Sequence, residues 1–181
     1  GPHGDVIRAN LTVSFHSRKL GHVLADGPQA CGTLIVADIG LPDRAETAQH
    51  VTLVAPPTAE AIQKPAGHKF QHGHALILSG GPGKTGAGRM AARGALRIGA
   101  GVVTLGVPPA AQQEVACHIT AVMLRRIADA AALDAALEDP RFTALCLGPG
   151  LGLTDRAAAL VVAALTSGRS SVLDADALTH L

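Results

Sequence analysis

Short, uninterrupted apolar runs recur in the second half of the chain and alternate with alanine-rich stretches. Each apolar run has the length and character of a strand that is buried on both faces. Strands are therefore predicted over 74–80, 101–108, 143–148 and 170–175, with a weaker candidate at 120–124. Helices are predicted between them, over 86–98, 109–119, 129–138 and 155–167.

The alternation of buried strands with helices predicts βαβ units. Such units join parallel neighbours by right-handed crossovers and cover both faces of the sheet with helices. We therefore expect an α/β fold with a mainly parallel sheet and helices on both faces. The helix over 155–167 has well-marked ends, because Thr154 is a good N-cap and Gly168 follows the last turn.

The first part of the chain has a different pattern. Residues 6–15 and 32–40 each predict a strand, but no helix is predicted to cover them. Residues 43–67 show no clear strand or helix pattern and contain the proline-rich "APPTAEAIQKPAG", which is typical of a linker. We therefore expect 1–42 to be the end of one domain and 68–181 to be the first part of another.

Composition narrows the class of protein. Hydrophobic residues make up 48% of the 181 positions and charged residues 16%, which predicts a folded chain. A net charge of +1, with three Phe and no Trp or Tyr, argues against binding to nucleic acid or to an anionic membrane. The longest strongly apolar run, 157–165, is far shorter than the ~20 residues of a membrane span.

Cysteine usage favours a reducing compartment. Cys31, Cys117 and Cys146 are far apart in apolar surroundings, and no C-x-x-C pair occurs. This spacing suits neither a disulfide framework nor a zinc site, so we expect buried thiols. Because no signal peptide is recognisable either, the expected location is cytoplasmic.

The segment "ALILSGGPGKTGAG", residues 75–88, places a glycine-rich loop between a strand and a helix. Residues 83–85, G-K-T, match the end of an NTPase P-loop, but Leu78 stands where that motif has its first glycine. Residues 81–86 match the dinucleotide-binding pattern G-x-G-x-x-G, but the next strand ends without a carboxylate for the ribose. An anion site at the helix N-terminus and a tight turn without a ligand are the other interpretations.

Two further groups follow later strands. The turn 148–152, G-P-G-L-G, lies where open α/β sheets bind ligands, although a plain turn has the same residues. Asp174 and Asp176 are two positions apart, so their carboxylates point to the same side if the strand continues through them. Such a pair suits contact with a substrate or Mg²⁺, and a capping or surface pair is the alternative.

Basic residues offer weaker candidates. Arg89, Arg93 and Arg97 form one stripe on the first helix of the second domain, usually a solvated face and alternatively a subunit or phosphate contact. The histidines in 68–74 lack an acidic or cysteine partner, so no metal site is predicted there. Lys69 is a candidate for contact with substrate phosphates.

Several segments occur in a fixed order: "HKFQHGHALILSGGPGKTGAGRMAARGALRIGAGVVTL", then "CLGPGLG", then "VLDADAL". This series resembles the ADP- or ATP-dependent NAD(P)H-hydrate dehydratases, a ribokinase-like family. The upstream "IRANLTVSFHSRKLGHVLADGPQACGTLIVADIGLPD" resembles the closing strands of the Rossmann-like NAD(P)H-hydrate epimerase domain. In bifunctional bacterial proteins that domain is fused in front of the dehydratase.

The resemblance implies repair of hydrated NADH or NADPH. In that family ADP or ATP, with Mg²⁺, phosphorylates the ring hydroxyl and phosphate is then eliminated, while the epimerase domain uses K⁺. The resemblance also implies homo-oligomers. It implies substrate contacts in this chain at Thr85, Gly86, Ala87, Gly148 and Gly150, with Asp174 and Asp176 as further candidates.

The chain departs from the family pattern at Phe70, where glycine is frequent, and at Pro82, where serine is usual. The family's later T-P-H-P-G-E-like segment and its G-T/S-G-D motif with the catalytic aspartate do not occur before Leu181. We therefore expect the catalytic residues beyond Leu181. The rival functions are a ribokinase-like small-molecule kinase and a non-catalytic nucleotide-binding or oligomerisation module.

Overall fold

The computed structural model describes residues 6–42 and 54–181. By its internal contacts the chain divides into two compact units, with the division between Pro56 and Pro57. Each unit has a sheet of its own. The section 43–53 of the predicted linker lies outside the described residues.

The first unit contains two parallel strands, β1 (Leu11–Phe15) and β2 (Thr33–Ala37). Both confirm the predicted strands over shorter spans. Parallel neighbours need a crossover connection, and this one contains a 3₁₀ turn, Leu20–His22, and a single-turn helix, α1 (Gly27–Ala30). The sequence did not predict this helical turn between the strands.

A helical turn, α2 (Ala59–Ile62), lies in the second half of the predicted linker. Its N-cap is Thr58, whose hydroxyl oxygen accepts a hydrogen bond from the Ala61 N–H at 3.3 Å. This cap satisfies one of the N–H groups that a helix start leaves without a partner. The proline-rich segment therefore contains local structure.

The second unit is built on a five-stranded sheet in which every neighbouring pair is parallel. Its strands in chain order are β3 (His74–Leu78), β4 (Val102–Val107), β5 (Met123–Arg126), β6 (Phe142–Leu147) and β7 (Ser170–Leu173). Across the sheet they lie in the order β5-β4-β3-β6-β7. The predicted parallel α/β sheet is confirmed.

Helices connect these strands. They are α3 (Gly86–Ile98), α4 (Gln112–Ala116), α5 (Ala130–Leu137) and α6 (Asp155–Thr166), and a last helical turn, α7 (Asp176–Thr179), follows β7. Two 3₁₀ turns, Lys69–His72 and Pro109–Ala111, precede β3 and α4. As predicted, the Thr154 hydroxyl caps α6 by accepting from the Ala157 N–H at 3.3 Å.

Helices cover both faces of this sheet, as the sequence predicts. Successive side chains of a strand point to opposite faces, and β3 shows this alternation. Leu76 and Leu78 pack into a core cluster that includes Leu133 of α5 and Leu160 of α6. Ile77 belongs to a second cluster that contains residues of α3 and α4.

Three elements differ from the sequence prediction. The helix expected over 109–119 is a 3₁₀ turn followed by the five-residue α4. The edge strand β5 lies at 123–126 instead of 120–124. Strand β7 ends at Leu173, and the chain turns at Ala175 with φ +45° before α7 begins.

Within residues 6–42 and 54–181, no helix has both the length and the apolar character needed to cross a bilayer. The thiols differ from expectation in one position. Cys31 and Cys146 are partly buried, but Cys117 is exposed, so the expectation of three buried thiols was wrong. Cys117 directly follows the short α4, where the predicted longer helix would have continued.

Deletion of core volume in α6 tests the layered packing. Leu160 is 1% exposed, whereas Leu165 of the same helix is 47% exposed. We expect Leu160→Ala to lower the free energy of unfolding by about 2–5 kcal/mol, because it leaves a cavity beneath the sheet. Leu165→Ala, the matched control, should cost less than about 1 kcal/mol. Urea unfolding followed by circular dichroism measures both, and equal losses would contradict the assignment of faces.

Candidate functional site

Two glycine-rich loops leave the same edge of the sheet. The first, residues 79–85, follows β3, and the second, residues 148–152, follows β6. Strands β3 and β6 are parallel neighbours, so their carboxyl ends are side by side. They are also the point where the strand order reverses, since the chain runs outward from β3 to β5 and then returns to β6. Open α/β sheets bind ligands in the crevice at such a switch point.

The two loops are in direct backbone contact. A Cβ atom placed on Gly80 would collide with the carbonyl oxygen of Gly150 and would lie 2.7 Å from that of Lys84. A Cβ on Gly150, whose φ is +72°, would lie 2.8 Å from the same Lys84 oxygen. Only glycine permits this approach. The structure thus brings the two predicted glycine turns together at one place.

Helix α3 begins beside this contact between the two loops. Thr85 is the N-cap by position, but its side chain does not cap the helix. No described residue accepts a hydrogen bond from the N–H groups of Gly86 and Ala87. A Cβ placed on Gly83 or Gly86 would meet nothing within 4 Å. N–H groups without an acceptor at the positive end of a helix are suited to bind an anion.

Glu114 in α4 holds the first loop in place. Its carboxylate accepts hydrogen bonds from the Thr85 hydroxyl at 2.5 Å and from the Gly83 N–H at 2.8 Å. Thr85 is 1% exposed, so its hydroxyl needs this partner. These two bonds, the Thr85 bond foremost, lower the pKa of Glu114, which is therefore ionised at neutral pH.

Sequence reasoning missed Glu114, because it is separated from Thr85 by 29 positions and carries no motif. One signal was available. Residue 114 lies in the connection that follows β4, a parallel neighbour of β3, and the carboxyl ends of these strands share an edge. A polar side chain at that point can reach the loop after β3.

Close helix packing also depends on a glycine. A Cβ on Gly88 would lie 3.0 Å from the Cβ of Ser79 at the end of β3. Gly88 therefore lets the first turn of α3 lie against the strand that precedes the loop. In dinucleotide-binding folds the third glycine of the motif has this role, and here the position is two residues further along.

The end of β7 adds two carboxylates to this edge. Gly148, with φ +140°, allows the backbone to approach the carbonyl oxygen of Asp174, where a Cβ would collide. The Asp174 side chain is exposed. Asp176 is half-buried and accepts a hydrogen bond from the Gly152 N–H at 2.8 Å.

The condition for the two carboxylates to point to the same side, a strand that continues through both residues, is not met. Strand β7 ends at Leu173, before either aspartate, and Asp176 is the first residue of α7. The positive φ of Ala175 separates the two residues. Asp176 braces the second loop, and Asp174 is the carboxylate that stays available at this edge.

Two other candidates lie elsewhere. Lys69 belongs to the 3₁₀ turn that precedes β3, so it is at the amino end of the strand, opposite the glycine loops. His74 is buried, and its Nε2 lies 2.8 Å from the Thr104 hydroxyl in the core of the sheet. Among the residues that the structure describes, no group of three or more His, Cys, Asp or Glu side chains could hold a metal ion.

A parallel α/β sheet with glycine loops and an open helix N-terminus at its switch point defines a class: proteins that bind phosphate-bearing ligands at the carboxyl edge of the sheet. The comparisons with known proteins are more specific. The model of the NAD(P)H-hydrate dehydratase family matches residues 75–181. The chain belongs to this family.

Relatives match along almost the whole chain. The bifunctional NAD(P)H-hydrate repair enzyme Nnr of Moorella thermoacetica is 36% identical over 192 residues, and that of Coxiella burnetii is 36% identical over 183 residues. Each alignment covers 98% of this chain but only 36% and 37% of the relative. The chain thus spans little more than a third of the length of the curated relatives it matches.

Solved structures agree on the fold. The ADP/ATP-dependent NAD(P)H-hydrate dehydratase of Bacillus subtilis, co-crystallised with ATP and Mg²⁺, is 27% identical with a TM-score of 0.53, covering 64% of this chain and 42% of that one. A ribokinase-like protein of Enterococcus faecalis is 22% identical with a TM-score of 0.56, covering 65% and 42%. The predicted ribokinase-like fold is confirmed.

The contacts of Glu114 predict a pH dependence. A carboxylate whose pKa is lowered on folding contributes stability above its ordinary pKa of 4.5, and this contribution is lost as the pH falls through the lowered value. We expect wild type to be more stable than Glu114→Gln at pH 7, with the difference shrinking below pH 4.5. Urea unfolding across this range measures it. A stability curve of Glu114→Gln that runs parallel to that of wild type across this pH range would contradict the assigned role of Glu114.

Proposed function

We propose that this chain forms part of an enzyme that repairs hydrated NADH and NADPH by nucleotide-dependent dehydration. The observation that carries the proposal is the convergence of the two glycine loops beside the open N-terminus of α3, within the segment that matches the family. The Nnr relatives are named for the same repair.

The proposed residues of direct substrate contact are Gly86, Ala87, Gly148 and Gly150, and Thr85 is proposed to support them. The N–H groups of Gly86 and Ala87 donate to anionic oxygens of the bound dinucleotide, where the helix dipole adds to the attraction. Gly150 lets the ligand approach the backbone of the second loop closely. Thr85 acts indirectly, because its hydroxyl is bonded to Glu114 and positions the loop.

ADP or ATP with Mg²⁺ is the proposed co-substrate, and the residues at this edge are compatible with it. Mg²⁺ in nucleotide sites is typically held by one or two carboxylates together with phosphate oxygens and water. Asp174 is exposed and supplies one such carboxylate, whereas Asp176 is already bonded to Gly152. The B. subtilis dehydratase that shares the fold was co-crystallised with ATP and Mg²⁺.

The chemistry requires a better leaving group than hydroxide. When bound, the nucleotide would supply the phosphoryl group that turns the ring hydroxyl into such a leaving group, and Mg²⁺ would neutralise charge on the phosphate oxygens. This chain's residues bind and orient the substrate: the amides of α3 stabilise negative charge, and the loop contact holds both turns in fixed geometry. The general base and the other catalytic residues stay unassigned in this chain.

The first unit has a proposed place in the same protein. The Nnr relatives are named bifunctional, and their alignments cover 98% of this chain, so they extend into residues 1–42. We propose that 1–42 is the end of an epimerase domain, that 43–67 links it to the dehydratase domain, and that the dehydratase domain begins near 68. A K⁺ site in the epimerase domain, homo-oligomeric assembly and a cytoplasmic location belong to the same proposal.

A matched pair of glycine substitutions tests the proposed site. Gly150 and Gly152 both have positive φ, but only a Cβ at Gly150 meets the first loop, since nothing lies within 4 Å of Gly152. The assay uses the full-length protein that contains residues 1–181. We expect kcat/KM for hydrated NADH to be about tenfold or more lower for Gly150→Ala than for Gly152→Ala, a difference equivalent to ~1.4 kcal/mol. Recovery of the NADH absorbance with ADP or ATP and Mg²⁺ measures it.

Two results would contradict the proposal. Equal rates for the two variants would separate the loop contact from catalysis. Phosphorylation of a hydroxymethyl compound by a wild-type enzyme that leaves hydrated NADH untouched would favour the small-molecule kinase.

A further inference from the structure

A second cleft lies on the outer side of α3, away from the glycine loops. It is formed by one face of α3 and by the segment 118–122 that leads into β5, and its volume is about 340 Å³. Pockets that bind small molecules are commonly of this size. None of its lining residues belongs to the two glycine loops. We call it the arginine cleft, after Arg89, Arg93 and Arg97.

The three arginines line the cleft together. They are four residues apart, so they share one helix face, and at 1.5 Å rise per residue they extend over about 12 Å. The floor between helix and segment is apolar, with Leu96 and the 8%-exposed Val122. A row of guanidinium groups above an apolar floor is suited to an elongated anion.

One described carboxylate lies near one end of this row: beyond its hydrogen bonds to Thr85 and Gly83, the positive charges of Arg89 and His118 also lower the pKa of Glu114. Within residues 6–42 and 54–181 the one ion pair joins Arg141 to Asp139, outside the cleft. Glu114 keeps its negative charge, but its oxygens accept hydrogen bonds from Thr85 and Gly83 and form no salt bridge with the three arginines, which leaves the row with an excess of positive charge. The Nε of Arg89 is buried and has no hydrogen-bond partner. Buried donors are usually paired, so this orphan indicates that a partner is missing.

His118 adds a further polar group at the rim. Its Nδ1 lies 2.7 Å from the backbone carbonyl of Glu114, which accepts the hydrogen bond and orients the ring at the cleft. Guanidinium groups bind phosphate oxygens through two parallel N–H donors each. A single oxyanion reaches one or two arginines of this row, whereas a chain of phosphates presents charge along its length.

We propose that the arginine cleft binds the polyphosphate group of a phosphorylated small molecule, at a site separate from the glycine loops. The arginines supply charge-assisted hydrogen bonds, and the apolar floor accepts the organic part of the ligand. The inference does not depend on the dehydratase reaction, because it uses none of the residues assigned to that site.

Inorganic tripolyphosphate is the probe, added to the ¹⁵N-labelled 181-residue chain at low salt. We expect amide shifts in 118–122 and shifts of the arginine Nε signals in α3, with an affinity that falls as salt is raised. Arg93→Gln should weaken binding about tenfold. Arg18→Gln removes the same charge from an exposed position in the first unit and should leave the affinity within about twofold.

Several results would overturn the proposal. Equal affinities of Arg93→Gln and Arg18→Gln would exclude the cleft, as would shifts confined to 79–87 and 148–152. Orthophosphate binding as tightly as tripolyphosphate would exclude a polyphosphate ligand. A dimer that dissociates on Arg93→Gln, without tripolyphosphate shifts in 118–122, would make the cleft a contact between copies of the chain.

Discussion

The site rests on one backbone contact, between the loop after β3 and the loop after β6. Gly80 and Gly150 have no Cβ, so the carbonyl oxygens of Lys84 and Gly150 can occupy the space where side chains would stand. The remaining parts are held to these loops. Glu114 fixes the first loop through Thr85, and Asp176 braces the second through Gly152. Together these contacts set where the N-terminus of α3 points.

The strand order puts the contact between the two loops at the edge of the sheet where ligands bind, but the strand order alone does not identify the ligand or the reaction. The order β5-β4-β3-β6-β7 is the order of the first five strands of a dinucleotide-binding fold, and the first loop matches G-x-G-x-x-G as well. Two details argue against that class: β4 ends at Val107 without a carboxylate, and the family match covers 75–181. Function therefore follows from the residues at the edge and from the family, as expected for a fold shared by many activities.

Local sequence patterns were sufficient to predict the central strands of the sheet and helix α6. Continuous apolar runs located β3, β4 and β6, and the capping residue Thr154 located α6. Prediction from local patterns failed for elements whose position depends on contacts with distant parts of the chain. The four-residue edge strand β5 is mostly exposed and lacks an apolar run. The helix α7 begins after Ala175, which has a positive φ although it is not a glycine, so the turn before α7 could not be predicted from residue type. The convergence of the two loops could be predicted from parallel strands, but the role of Glu114 depends on a contact across 29 positions.

The most direct measurement of the central claim is an amide-resolved titration of this chain with Mg²⁺ and ATP or NADPH. If the two loops form one site, the N–H signals of 81–87 and of 148–152 shift together, with one dissociation constant. Shifts in only one loop, or in both with different constants, would show that the touching loops do not share a ligand and would contradict the account.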